Sequence, residues 1–214
     1  MNNQNIIDII KINPQLVVFV GFFIYAFSLG AMFPRLDDIQ TSLAIDKAEL
    51  GLLLLCIPLG LQVTLVFADR LVRAIPLKNI ICIGIPSICF MQFAAVAINQ
   101  ILFFAFFLIV CGAFVAVVEV AINLEADRVE HALGSRIMNR SHAFWSIGFF
   151  SAAVVGALFS QFKVLLEVHF LLVCGIAFLI SKIIFEDYIV ASPRHINVTK
   201  IKKFSLPTGP IFVM

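Results

Sequence analysis

Glu119 and Asn123 stand four residues apart inside an uninterrupted apolar run, where an acid is the least expected residue type. That spacing puts both on one face of a helix, and Ala116 and Ala121 leave room beside them. A carboxyl group in hydrocarbon costs roughly 3 kcal/mol or more unless it faces a partner or water, so the pair reads as a working site. A carboxyl so placed can bind and release a proton, which makes a proton-linked solute path one expectation. The other is a structural pair in which Glu119 locks neighbouring helices through Arg136, Arg140 or His142.

Ser141, His142 and Trp145 open the next apolar run near the same membrane face. An imidazole beside an indole can line a cavity for a polar solute, although Trp at a membrane interface also serves as an anchor. Tyr25 and Ser28 in the first run and Gln62 in the second are further ligand candidates. Against them, a hydroxyl can bond its own helix and a Gln can join helix to helix. No metalloprotease, esterase or nucleotide-binding motif occurs, and no second acid, Ser/Lys pair or metal cluster shares a span with Glu119, so the chain is not read as an enzyme.

The elements that must position these residues are six apolar runs: 16–33, 50–67, 79–98, 101–123, 142–161 and 165–185. Each is long enough at about 1.5 Å per residue to cross about 30 Å of hydrocarbon with some tilt or local thinning. Backbone groups in lipid must be paired within the segment, and the runs do not alternate as barrel strands do, so helices are expected. Pro58 and Pro86 fall inside the second and third runs and predict kinks. Gly148, Ala152, Gly156 and Ser160, spaced by four, form a ridge that lets another backbone approach closely. Either one of the six spans or a helix beyond them should cover it.

Composition agrees with a lipid solvent. Hydrophobic residues make up 62% of the 214, charged residues only 13%, and the mean hydropathy is +1.07, a balance that would aggregate in water. A net charge of +2 with dispersed basic residues argues against nucleic acid as a partner. The five Cys lie in the apolar runs with no C-x-x-C pair or neighbouring His cluster, so they read as small core residues, and no cofactor or metal is expected. With the N-terminus inside, only Arg35, Lys47 and Lys163 of the 15 Lys and Arg fall outside. The expectation is therefore a multi-pass protein of a bacterial-type cytoplasmic (inner) membrane with a cytoplasmic N-terminus. Organisation follows as a six-helix bundle over 1–185, a cytoplasmic linker over 186–205 with Lys200, Lys202 and Lys203, and the truncated start of a seventh helix over 206–214 with Pro207 and Pro210.

The stretch from Ile122 to Gly156, INLEADRVEHALGSRIMNRSHAFWSIGFFSAAVVG, resembles the fourth and fifth helices of major facilitator superfamily permeases of the fucose permease-like branch. PRLDDIQTSLAIDKAELGLLLL, from Pro34 to Leu55, is similar to that branch's first outer loop and second helix. The resemblance implies an all-α fold in which this chain is the amino-terminal six-helix half of a twelve-helix transporter, its carboxy-terminal half being the partner. It also implies a protonation-linked Glu in a Glu-x-Ala-x-Asn motif, matched by Glu119, Ala121 and Asn123. Gly30 stands where the branch carries an Asp. The superfamily's G-x-x-x-D-R-x-G-R signature is matched by Asp69, Arg70 and Arg73, implying an inner-face latch, with Leu65 and Val72 in place of its glycines. The function expected is alternating-access transport of a small polar solute, sugar first, either facilitative or linked to a proton as coupling ion. The rival expectation is a non-transporting six-helix sensor or assembly subunit.

Overall fold

A computed structural model describes residues 13–193 of the chain. Arg194 and everything after it, including the basic part of the expected linker and the expected start of a seventh helix at 206–214, lie outside the described residues, as does Lys11.

Among the described residues the fold is all α: α1 Pro14–Gly30, α2 Leu36–Leu43, α3 Lys47–Leu54, α4 Cys56–Ala74, α5 Leu77–Ile98, α6 Ile101–Leu133, α7 Met138–Gln161 and α8 Leu166–Phe185. Six segments of the described residues are long and apolar enough to cross a membrane, α1 with α2 forming the first and α3 with α4 the second. The chain is a polytopic α-helical membrane protein.

Both interruptions follow one rule. A proline has no N–H and its ring crowds the carbonyl four residues earlier, so a helix breaks or bends there. Gly30 ends α1 four residues before Pro34, and Leu54 ends α3 four residues before Pro58. At the first break the chain makes a short 3₁₀ turn, Phe33–Arg35, before α2. At the second, one residue, Leu55, separates α3 from α4. Pro86 lies inside α5, which continues through it. An Asp46–Glu49 capping box starts α3, Glu49 N donating to Asp46 Oδ1 at 2.8 Å and Asp46 N to Glu49 Oε2 at 2.9 Å.

The fourth span differs from its apolar run. α6 continues ten residues beyond Asn123, where the apolar run ends, to Leu133, so Glu119 and Asn123 lie several turns from its end. The added segment, LEADRVEHAL, is made largely of good helix formers, and a helix need not stop where it leaves apolar surroundings. It ends at Gly134, whose φ of +62° is the left-handed cap that favours glycine. Glu130 then accepts from the first amides of the next helix, Ile137 N at 2.7 Å and Met138 N at 2.9 Å, which joins α6 to α7 through a tight corner.

Packing sets α4 against α6, α1 against α7, α5 against α6, and α8 against α5. Gly60 of α4 and Gly112 of α6 allow the first of these: a Cβ on Gly60 would collide with the Ile109 carbonyl, and one on Gly112 with the Ile57 carbonyl. The ridge on α7 is covered by the first span, since Gly148 abuts the Phe23 carbonyl, Ala152 faces Gly30 and Gly156 abuts Pro34. Much of the second span (α3 with α4) and of α7 is left uncovered by protein, with Leu52, Leu55, Leu59, Val63 and Val66 exposed on one and Phe144, Ile147, Phe150 and Leu158 on the other.

Candidate functional site

α1 and α6 meet where Gly21 lies against Ile122, and one turn along α1 the Tyr25 side chain reaches across to α6. Its hydroxyl donates to Glu119 Oε2 at 3.1 Å. Tyr25 is only 2% exposed whereas Glu119 is exposed, so a shielded donor holds a carboxylate that is open on its other side. Asn123 is half-buried, and its amide donates to the backbone carbonyl of Glu119 at 2.8 Å, not to the carboxylate. This bond belongs to the helix turn and leaves the Asn123 side-chain oxygen free of that contact. Among the described residues no ion pair involves Glu119, so the locking partners Arg136, Arg140 and His142 do not hold it.

Charge is scarce around this pair. The stretches 14–33, 50–67, 79–123, 142–161 and 166–181 hold no Lys or Arg, and their only acids are Glu119 and Glu167, the latter in the first turn of α8.

Of the α7 candidates, His142 meets α1 one turn from Tyr25. Phe22, one turn before Tyr25, meets the exposed His142 ring edge-on with centroids 5.2 Å apart, and Phe19 stacks on Phe144 at 4.8 Å. Trp145 is half-buried and stacks on Phe149 at 5.3 Å with the rings 17° from parallel. The two pairs that cross from α1 to α7, Phe19–Phe144 and Phe22–His142, stiffen that seam, such pairs contributing about 0.5–1.5 kcal/mol beyond their buried area. Ser28 is instead enclosed in the core beside Cys89, and Gln62 is exposed on α4. Asp69, Arg70 and Arg73 are all exposed at the end of α4, where Arg73 Nε donates to Asp69 Oδ1 at 3.1 Å within one helix turn.

Two buried charged groups escaped the sequence reading. At one end of the bundle Arg35, 2% exposed, donates from Nη2 to the Val164 carbonyl at 2.7 Å, pairs with Asp38 at 2.5 Å, and places Nη1 3.2 Å from His169 Nδ1. The fan ties the first span to the α7–α8 turn. At the other end Glu125 of α6, 1% exposed, accepts the Tyr188 hydroxyl at 2.6 Å and the Ala191 amide at 2.9 Å. Burial, reinforced by that hydrogen bond and by the charge of Glu125, pushes the Tyr188 hydroxyl above the usual tyrosine range, so it stays a donor at physiological pH. The only sequence signal for either group was a charged residue flanked by apolar ones.

The site is thus an exposed carboxyl on a helix face within a bundle of six candidate membrane spans. Comparisons with known proteins found two relatives. The chain is 29% identical over 146 residues to an uncharacterized MFS-type transporter of Yersinia pestis, covering 68% of this chain and 37% of that protein. It is 28% identical over 162 residues to an uncharacterized transporter of Sinorhizobium fredii, covering 75% and 42%. It thus spans about two fifths of the length of these curated relatives. No family model matches the chain, and no solved structure does. Both relatives are named transporters, the first of them of the MFS type.

Proposed function

We propose that this chain is one six-helix half of an alternating-access secondary transporter of the fucose permease-like kind, carrying a small polar solute, sugar first, with a proton as coupling ion. The observation that carries the reading is the Tyr25–Glu119 pair, an acid exposed on the face of α6 beside α1 and steadied by a buried hydroxyl. An unpaired carboxylate facing acyl tails would be costly, so this face is assigned to an aqueous path between two bundles. The exposed sides of α4 and α7 would pack against the second bundle, which the greater length of both relatives has room for.

In this mechanism Glu119 alternates between proton-bound and free as the bundles rock, and Asn123, His142 and Trp145 present amide, imidazole and indole groups to the solute. Because the spans carry no Lys or Arg in their central stretches, this half offers an anionic solute no counter-charge, which favours a neutral one such as a sugar. Asp69, Arg70 and Arg73 serve as a latch at the cytoplasmic end.

The test is uptake by the full-length protein in vesicles, scanning sugars with and without an imposed proton gradient. Glu119→Gln should abolish gradient-driven accumulation while leaving solute exchange at equal pH intact. Unchanged accumulation in that variant would remove Glu119 from the coupling scheme.

A further inference from the structure

Glu125 lies six residues past Glu119 on α6, and its surroundings are of another kind. The carboxyl is buried, and its Oε1 takes two donors from one short segment beyond α8, the Tyr188 hydroxyl and the Ala191 amide. Its Oε2 is equally buried and has no hydrogen-bond partner; Arg128, one turn further on, attracts it only at longer range. The same segment is held from a second side, where Lys78 at the start of α5 donates to the Glu186 carbonyl. Tyr188 packs its ring edge-on against Phe185, centroids 6.2 Å apart, so the chain leaving α8 folds back over the end of the bundle.

A buried carboxyl with half its acceptor capacity unmet is a poor way to gain stability, since an apolar side chain of similar size would fill the space without that penalty. What it does supply is a directional tie between α6 and the chain that follows α8. We propose that Glu125 and Tyr188 form a clasp that makes the segment 186–191 move with α6, so that displacement of the helix bearing Glu119 is passed to the connection leading out of this bundle. The transport arm of the test rests on the function proposed above; the clasp itself does not.

The experiment is hydrogen–deuterium exchange, read by mass spectrometry on peptides covering 186–191 of the full-length protein in lipid nanodiscs. The Ala191 amide should exchange at least about tenfold faster in Glu125→Ala than in the native protein. In Glu125→Gln, whose side-chain carbonyl still accepts both bonds, it should stay within about threefold of native, which separates loss of the tie from general misfolding. Equal exchange in native protein and Glu125→Ala overturns the clasp. In the uptake assay, Tyr188→Phe should lower maximal turnover about fivefold with the half-saturating solute concentration unchanged. Native turnover in that variant overturns the mechanical link. Absence of uptake in the native protein too would count against the transport reading, and exchange at Ala191 would still decide the clasp.

Discussion

One oxygen distinguishes Tyr25 from phenylalanine, and that oxygen is the side-chain donor to Glu119 among the described residues. Tyr25→Phe keeps the ring and its packing while removing a hydrogen bond to a charged group, a loss of about 1.5 kcal/mol and hence roughly tenfold in a rate that depends on it. Gradient-driven uptake should fall by about that factor with the thermal midpoint within a few degrees of native. A variant that transports at the native rate would mean that the hydroxyl does not position the carboxylate. Glu119, Asn123 and Tyr25 were legible in the sequence because polar groups stand out in apolar runs. Their pairing was not: Tyr25 and Glu119 are 94 residues apart, and only the packing of α1 on α6 brings them together. Glu125 was hidden for a different reason. It sits in a charged stretch that reads as a loop, and its partner Tyr188 follows 63 residues later.

At the scale of elements, backbone contact replaces the hydrophobic effect, because lipid tails are as apolar as the side chains they would displace. α4 and α6 meet through Gly60 and Gly112, each pressed against a carbonyl of the other helix, so even one methyl group must push the helices apart. Gly112→Ala should therefore destabilise by about 1–3 kcal/mol, seen as a lowered thermal midpoint in detergent. Gly175 of α8 has nothing within 4 Å of an added Cβ, so Gly175→Ala should be neutral or stabilise by up to about 1 kcal/mol. Equal effects at the two sites would show that helix propensity, not the α4–α6 approach, governs stability. The spans themselves were readable from run length, and the breaks before Pro34 and Pro58 follow from the missing proline N–H. The tail of α6 from Leu124 to Leu133 was not readable by counting apolar residues, since its helix persists among polar ones and ends only at Gly134.

Across the whole molecule the described Lys and Arg are unevenly shared between the two ends of the bundle. Arg70, Arg73, Lys78, Arg128, Arg136, Arg140 and Lys182 lie toward the end that carries the α4–α5 and α6–α7 turns, and Arg35, Lys47 and Lys163 toward the other. Arg35 is moreover buried and paired with Asp38. Moving one positive charge against a membrane potential costs about 2.3 kcal/mol per 100 mV, so insertion should keep the richer end in the cytoplasm. Ala48 on α3 and Ser135 after α6 are exposed at opposite ends and suit a direct test. In intact cells a membrane-impermeant maleimide should label Ala48→Cys, whereas Ser135→Cys should react only after permeabilisation, each above the background of the native protein, whose cysteines lie within the spans. The opposite pattern would invert the bundle, placing the Asp69–Arg73 pair and the Glu125 clasp on the outer side. Glu119 would then lie in the outer half of its span, and the latch proposed for α4 would have to be abandoned.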